Sequence, residues 1–330
     1  GDGRVNGHGP QFQQKILRFG KIVGRIADIP GLLALFDASG RWIAAEAAGS
    51  FASGDGLSAV WYELNPSYID VLDPAAVAAF LACGYEFYRE RLTSSEWRML
   101  AGFFTDEPQM AFAGIVWDPI LPELYRKAYG EELLPLLPEL FQADGNYRRT
   151  RFRFWALVTG RFAENYQKRL FDWCCDSGIQ ITGHHLWEET LHEQIAPNGA
   201  AMPHYLYYHI PGIDWLGRDI DSVVAPVQLS SAAAQSGRRR LLSESLGACG
   251  WGVSFDAMHR VVQWQLLRGV NFFCWHLSSY SLRGLRKRDY PASFSPQQPW
   301  WPLFRHFNDR VARLSLLMAE TDPVAEVAII

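Results

Sequence analysis

The chain contains 330 residues, of which 48% are hydrophobic, so it has enough apolar surface for one large core. Its formal net charge of −4 argues against a nucleic-acid-binding protein, because such proteins carry an excess of positive charge. The basic runs at 238–240 and 283–288 are local, and a solvated turn is our interpretation of the first. The sequence shows no signal peptide and no apolar run long enough to cross a membrane, and we expect no membrane partner.

Five cysteines are spread along the chain without the spacing of a metal site, and Cys174 and Cys175 are adjacent. Adjacent cysteines rarely bridge each other, so we predict five reduced thiols in a core. Reduced thiols favour a cytoplasmic protein. A signal peptide upstream of this segment would change that prediction, and the localisation stays open.

Residues 1–60 differ in pattern from the rest of the chain. Short apolar runs at 21–26 and 31–36, with a turn at 37–40, predict antiparallel strands, and residues 50–57 predict a Gly/Ser/Ala-rich loop. We predict that residues 1–60 form an antiparallel β excursion ahead of a larger strand–helix region.

Strands and helices alternate from about residue 61 onward. Asp73 followed by Pro74 predicts a helix start after a strand at 67–71. Further strands are predicted at 101–105, 178–182, 212–215, 241–244 and 270–275. The intervening segments predict helices at 120–141, 149–177, 225–236, 254–269 and 301–317.

About six strand–helix units in sequence order predict an α/β fold with a parallel sheet or barrel. A complete (β/α)₈ barrel has eight units in about 250 residues. We therefore expect residues 61–320 to form a TIM-like (β/α)₈ barrel that lacks its first one or two units. Residues 321–330 then predict the start of a following β domain, and we expect contacts with those absent units and that domain.

Polar or aromatic side chains follow every predicted strand. Chance would put one or two such residues there, because polar residues often end strands. A barrel gathers the carboxyl ends of its strands around one mouth, so the full set favours a shared pocket. The residues are Asp70, Asp106, Glu107, His184, His185, Asp214, Glu244, Trp275 and His276.

Glu107 and Glu244 are the two candidate catalytic residues. Glu107 ends an apolar run and precedes Pro108, which stops regular pairing. If the strand at 67–71 is the third of the barrel, Glu107 follows strand four and Glu244 strand seven, on opposite sides of the mouth. Glycoside hydrolysis needs one carboxylic acid and one carboxylate. The structural alternatives are a salt-bridged strand end for Glu107 and a helix N-cap partner for Glu244.

A second polar cluster contains His184, His185, Glu188 and Glu189. Neighbours on a regular strand point to opposite faces, so both histidines cannot enter one site. The spacing matches no zinc motif. We expect His184 or Glu188 to hydrogen-bond a substrate, and a metal-dependent hydrolase centred on His184, His185 and Glu188 is the alternative.

Aromatic residues near the last strand are candidate platforms for a sugar ring. Trp275, His276 and Tyr280 follow that strand, and Trp300 and Trp301 lie shortly after it. A tryptophan pair between prolines is also typical of a packing plug.

The loop at 202–209 carries His204 and His209, and the sequence leaves open whether it lines a rim or packs as an aromatic loop. No dinucleotide, phosphate-loop or GxSxG motif is present in the required context, which disfavours nucleotide-dependent and serine-esterase chemistry.

A set of segments resembles a known family. They occur in order at 68–74, 104–108, 182–185, 202–204, 210–214, 242–245 and 269–271. Together they resemble bacterial glycosyl hydrolases related to the α-L-rhamnosidase family numbered 106, over roughly residues 60–320.

This resemblance implies a carbohydrate substrate and a (β/α)₈ catalytic barrel in a longer polypeptide with β-sandwich domains. The family's acid and base glutamates correspond to Glu107 and Glu244. Asp70, Asp106, His184, Glu188, Asp214 and His276 are then expected to hold hydroxyl groups or to tune the acid. No cofactor is expected, although some members carry calcium near the site, with ligands that we cannot assign here. A β-galactosidase-like retaining glycosidase and a non-catalytic carbohydrate-binding barrel are the alternatives.

Overall fold

A computed structural model describes residues 10–23, 25–43, 56–110, 114–288, 290–322 and 324. The predicted loop at 50–55 and most of the expected β segment at 321–330 lie outside these residues. The chain divides into two compact units. The first contains Gly1–Met99, Gln109–Leu170 and Ile195–Gly199, and the second contains Leu100–Pro108, Phe171–Gln194 and Ala200–Ile330.

The described residues form ten strands and twelve α-helices. The strands are β1 Gln13–Lys21, β2 Leu32–Phe36, β3 Trp42–Ile43, β4 Ser58–Ile69, β5 Gly102–Thr105, β6 Ile115–Trp117, β7 Gln180–Gly183, β8 Ile210–Trp215, β9 Leu242–Ser245 and β10 Phe272–Trp275. The helices are α1 Pro74–Leu81, α2 Phe87–Arg91, α3 Ser94–Trp97, α4 Leu121–Tyr129, α5 Pro138–Phe141, α6 Tyr147–Phe162, α7 Arg169–Asp176, α8 Ile195–Asn198, α9 Met202–Tyr205, α10 Val224–Gln235, α11 Phe255–Leu266 and α12 Phe304–Ala319. Among these helices, none is long and apolar enough to span a bilayer.

The first unit is built on an antiparallel sheet with strand order β3-β2-β4-β1-β6. Its central strands, β1 and β4, place Ile16, Leu17, Ala59 and Val60 in the core. This sheet corrects the prediction of a barrel strand at 67–71. Residues Tyr68 and Ile69 are the end of β4, so they pair with β1 and not with a parallel neighbour.

Proline explains why the long strand was not recognised in the sequence. Pro66 lies inside β4, and a proline in a run of residues usually argues against a strand. The register of β1 shifts beside it, from Gln14 opposite Asn65 to Gln13 opposite Ile69. The extra residues form a bulge, which accommodates a residue without a backbone N–H group.

The second unit contains a parallel sheet with strand order β10-β9-β8-β7-β5. Its strands are neighbours in space in the same order as in the chain, and helices pack against them, so the sheet is a parallel half-barrel of an α/β fold. The core between sheet and helices includes Ile213, Trp215, Leu229, Val261 and Phe307, all buried. The α/β class is confirmed, while the described residues do not contain a complete eight-stranded barrel.

Two helix starts that the sequence predicts are confirmed. The side chain of Asp73 accepts a hydrogen bond from the backbone N–H of Ala75 at the start of α1 (2.8 Å). The hydroxyl of Ser254 accepts one from the N–H of Ala257 at the start of α11 (3.2 Å). Each cap satisfies a backbone donor that the helix cannot pair internally.

Candidate functional site

The carboxyl ends of the parallel strands bring six of the predicted site residues together. β5 leads directly into Asp106 and Glu107, β7 into His184, and β10 into His276, while Asp214 and Glu244 lie within β8 and β9. Asp214 is in register with Glu244, so their side chains emerge side by side. The grouped residues are Asp106, Glu107, His184, Asp214, Glu244 and His276.

An ion pair between His184 and Glu244 is the centre of this cluster. His184 Nε2 lies 2.7 Å from Glu244 Oε2 and 3.5 Å from Asp106 Oδ1, and His276 Nε2 lies 3.6 Å from Glu244 Oε1. Burial opposes the charge on His184, but the hydrogen bond to Glu244 and the acids around it raise the pKa of His184 to about 9. At Glu244, burial acts to raise the pKa, but the hydrogen bond and charge of His184 together with His276 outweigh it and hold the pKa of that carboxyl below its usual value. At neutral pH the pair is therefore imidazolium and carboxylate.

Glu107 and Asp214 also lie close to His184, and their pKa values shift in the opposite direction from that of Glu244. Polar atoms of Glu107, Asp214 and His184 all lie within 4.8 Å of one another. Burial, reinforced by Asp106 and Glu244, raises the pKa of Glu107, although His184 opposes this shift. Burial also raises the pKa of Asp214 to about 8, again against His184 and with Glu244 adding to it. The cluster thus holds proton-bearing and ionised carboxyl groups within a few ångströms.

The backbone has a positive φ angle at Glu107 and at Gly183, the residue before His184. Glu107 has φ 44°, in the left-handed region that costs a residue with a Cβ on the order of 1 kcal/mol. Gly183, immediately before His184, has φ 148°, and a Cβ there would overlap the carbonyl oxygen of Thr105 in β5. Only glycine permits this close approach of β7 to β5, which sets the start of the His184 loop.

Glu188 is bonded to neighbouring protein groups, and its expected role in substrate binding stays a prediction. It is 1% exposed, and its two oxygens accept hydrogen bonds from the hydroxyl of Tyr205 (2.6 Å) and the backbone N–H of Asp214 (2.9 Å). The backbone N–H of His185 also donates to it, and burial raises the pKa of Glu188 to about 7. Protein groups bind both oxygens, so Glu188 connects the His184 loop to β8.

His185 is not part of the cluster. It is fully buried, its ring lies 4.5 Å from that of His204, and Tyr208 lies within hydrogen-bonding distance of its Nε2 (3.3 Å). His204 is also fully buried, so the loop at 202–209 is a packed aromatic segment. The opposite orientations of His184 and His185 agree with the sequence argument.

The alternative metal centre is not formed by the residues that the sequence suggested. The ring of His185 packs against those of His204 and Tyr208, and both oxygens of Glu188 accept hydrogen bonds from protein groups. In the part of the chain that the structure describes, the groups with ligand-like spacing are Asp106–His184–Glu244 and Glu107–His184–Asp214. Both groups include His184, so a cation there would have to displace the proton that His184 shares with Glu244.

The other predicted residues fall outside the cluster. Asp70 follows β4 of the first unit, and Lys15 Nζ lies 2.8 Å from its Oδ2. Trp275 donates its indole N–H to Asn308 Oδ1 in α12 (2.9 Å) and stacks on Phe273 and Phe294. These contacts make Trp275 a packing residue. Side chains within β10 alternate between the two faces of the sheet, and that of Trp275 lies on the face that packs against α12. Tyr280 is fully exposed in the loop after β10.

Packing also accounts for the tryptophan pair. Trp300 donates its indole N–H to the carbonyl oxygen of Val253 (3.1 Å) and packs against Phe294, and Trp301 stacks on Phe304. Sequence reasoning missed Tyr205, the donor to Glu188, and Phe104, whose ring meets His184 edge-on at 5.5 Å. Both lie in segments that were singled out, but nothing in the local sequence indicates their partners.

A solved structure with a similar fold is that of rhamnosidase from Novosphingobium sp. PP1Y. The TM-score is 0.60 at 17% sequence identity, and the match covers 80% of this chain and 27% of that rhamnosidase. The chain thus corresponds to little more than a quarter of that protein, and the similarity concerns the fold. No protein-family model matches the chain, and no curated protein sequence is similar to it.

Proposed function

We propose that this protein is a glycoside hydrolase that removes a terminal sugar from an oligo- or polysaccharide, with Glu107 as the acid and Glu244 as the nucleophile or base. The observation that carries the proposal is the opposite displacement of two carboxyl pKa values at one strand-end cluster, raised at Glu107 and lowered at Glu244. Glycoside hydrolysis requires this division between a carboxylic acid and a carboxylate.

Glu107 would protonate the glycosidic oxygen of the departing group. Burial raises the pKa of its half-buried carboxyl, so Glu107 keeps its proton to higher pH than an exposed glutamate, as an acid catalyst requires. The left-handed backbone at Glu107 and the proline that follows aim the side chain away from the line of β5.

Glu244 would attack the anomeric carbon or activate a water molecule. The imidazolium of His184 keeps it ionised and fixes one of its oxygens at 2.7 Å. The second oxygen, near His276, is the one available for reaction. We propose hydroxyl contacts for Asp106, Asp214 and His276, and no cofactor, since two carboxyl groups and water are sufficient for the reaction.

We propose an α-L-rhamnoside as the substrate. The segments that resemble the α-L-rhamnosidase family and the fold similarity to a rhamnosidase both favour it. A β-galactosidase-like retaining glycosidase would use the same pair of carboxyl groups, so the sugar has to be identified by assay.

Hydrolysis of a panel of aryl glycosides by the protein and its Glu107→Gln and Glu244→Gln variants tests the proposal. An acid is needed less when the leaving group is good, so Glu107→Gln should retain far more activity on 2,4-dinitrophenyl than on phenyl glycosides. Glu244→Gln should lose activity on both. Glu123→Gln, an exposed change in α4, is the matched control. Sugar binding without turnover by the unmodified protein would favour the carbohydrate-binding barrel instead.

A further inference from the structure

The loop that follows β10 concentrates positive charge on a chain that is acidic overall. Residues 283–288 include a short 3₁₀ helix, Gly284–Arg288, and every one of them is exposed. We name as the basic loop the four cationic residues of this segment: Arg283, Arg286, Lys287 and Arg288. Within the described residues, none of the four forms an ion pair. Four like charges in six residues repel one another, and an anionic ligand would relieve that repulsion.

Contacts join the basic loop to the candidate site. The carbonyl oxygen of Lys287 accepts the indole N–H of Trp251 at 2.8 Å. The ring of Tyr290, two residues beyond the loop, lies 5.5 Å from that of His276. His276 in turn lies 3.6 Å from Glu244. The charged surface is therefore one or two side chains away from the carboxylate of the proposed reaction.

Exposed aromatic rings accompany these charges. Trp251 and Tyr290 are 38% and 53% exposed, and Tyr280 is fully exposed. The C–H faces of sugar rings pack against such planes, and guanidinium groups bind carboxylates through two parallel hydrogen bonds. Exposed rings in and beside the loop that carries the cations fit a ligand that is both saccharide and anion.

We propose that the basic loop binds an anionic glycan, the part of the substrate that extends beyond the sugar to be cleaved. This inference rests on the proposed function. The acids at the strand ends repel an anion, and the cations of the basic loop nearby attract one. The ligand therefore needs an uncharged sugar at the strand ends and a negatively charged part at the basic loop. A polysaccharide can alternate neutral and acidic residues in this way, whereas a nucleic acid carries a charge at every residue.

Native-gel retardation by polymers tests the proposal. The protein should be retarded at low salt by polygalacturonate but not by neutral dextran. A variant with all four basic-loop residues changed to glutamine should bind roughly tenfold more weakly, and added salt should weaken the unmodified protein in the same direction. The matched control replaces three arginines and one lysine that are exposed in the first unit, Arg98, Arg126, Lys127 and Arg148, with glutamine. It should bind like the unmodified protein.

Two further polymers identify the ligand. Stronger retardation by dextran sulfate than by polygalacturonate supports binding of an anionic glycan at the basic loop, with sulfate as the charged group. Equal or stronger binding of single-stranded oligodeoxythymidylate, or unchanged polygalacturonate binding by the four-residue variant, overturns the proposal. Hydrolysis of a neutral aryl glycoside separates this outcome from failure of the proposed function. The four-residue variant should keep its activity on a neutral phenyl glycoside, while Glu107→Gln should lose most of that activity and still bind polygalacturonate.

Discussion

Asp70 and Glu244 are both carboxylates at the ends of β-strands, and each faces a cation from a neighbouring element. Asp70 is completely buried, and its two oxygens are used by Lys15 Nζ at 2.8 Å and by the backbone N–H of Leu72 at 3.1 Å. Glu244 is partly exposed, bound to His184 on one oxygen, and close to His276 on the other. Both oxygens of Asp70 are thus hydrogen-bonded, and we call this pair closed. In the second pair, only one oxygen of Glu244 is held by a short hydrogen bond.

The surroundings of the two carboxylates differ more than the pairs themselves. Near Glu244, the atoms His184 Nδ1, Asp214 Oδ1 and His276 Nδ1 are buried and accept or donate no hydrogen bond among the described residues. Buried polar groups are normally paired, and exceptions call for an explanation. A buried ion pair alone is thus weak evidence of function. Carboxyl groups whose pKa values shift in opposite directions distinguish the second site.

The largest expected difference is catalytic. Glu244→Gln should lower kcat for aryl glycosides by about 10³-fold, because the neutral amide neither attacks nor activates water. Asp70→Asn should change kcat by less than about a factor of two, since Asp70 belongs to a closed pair. Steady-state kinetics of both folded variants measures the contrast. Equal losses would mean that the two carboxylates do not differ in the way we describe.

Stability should show the reverse order. Asp70→Ala leaves the ammonium of Lys15, which is 15% exposed, without its partner, and should lower the free energy of unfolding by about 4 kcal/mol. Glu244→Gln should cost less, because His184 can release its proton. Urea unfolding of the two variants gives the values. The double variant Lys15→Met/Asp70→Leu should regain most of the loss, and failure to do so would show that the carboxylate acts through other contacts.

Glycine substitutions compare the backbones of the two regions. Gly183→Ala should lower the free energy of unfolding by about 2 kcal/mol, because the methyl group overlaps the β5 backbone and displaces His184. Gly160→Ala in α6 of the first unit meets open space and should raise stability by about 0.5 kcal/mol. Thermal unfolding and kcat of each variant provide the readout. A normal kcat for Gly183→Ala would show that the close approach of β7 to β5 at Gly183 is not needed to position His184.

The last comparison concerns the dependence of stability on pH. The folded pKa of His184, about 9, exceeds the ordinary 6.5, so its stabilisation is complete below pH 6.5 and is lost as the pH rises to 9. Asp214, at about 8, adds a loss in the same direction, because the folded state holds its proton longer. Asp70, at about 6 in place of 3.8, completes its change at lower pH.

We therefore expect the melting temperature to fall between pH 6.5 and 9, and the fall to come from the second unit. Glu244→Gln should flatten this dependence, because it removes the strongest partner of the charged His184. Asp70→Asn should leave it unchanged. An identical slope in all three proteins would show that His184 is not the titrating group.

The sequence alone locates most of the site residues. Short apolar runs that end on polar residues place Glu107, His184, Asp214 and Glu244 at strand ends, and alternating strands and helices predict a parallel sheet. The predicted offset of three strands between Glu107 and Glu244 also agrees with the order β5, β7, β8, β9. These inferences succeed because hydrophobic periodicity and chain order are local properties.

Only the tertiary structure decides which side chains meet. Glu188 and Asp214 are both plausible site residues in the sequence. In the structure, Glu188 accepts a hydrogen bond from Tyr205 of α9, whereas Asp214 Oδ1 is buried without a hydrogen-bond partner. Pairing of β1 with β4 places Asp70 in a different sheet from Glu244, and packing against α12 turns Trp275 into the core. Sequence periodicity shows that a residue turns inward. Its partner depends on contacts between segments far apart in the chain, which only the folded packing supplies.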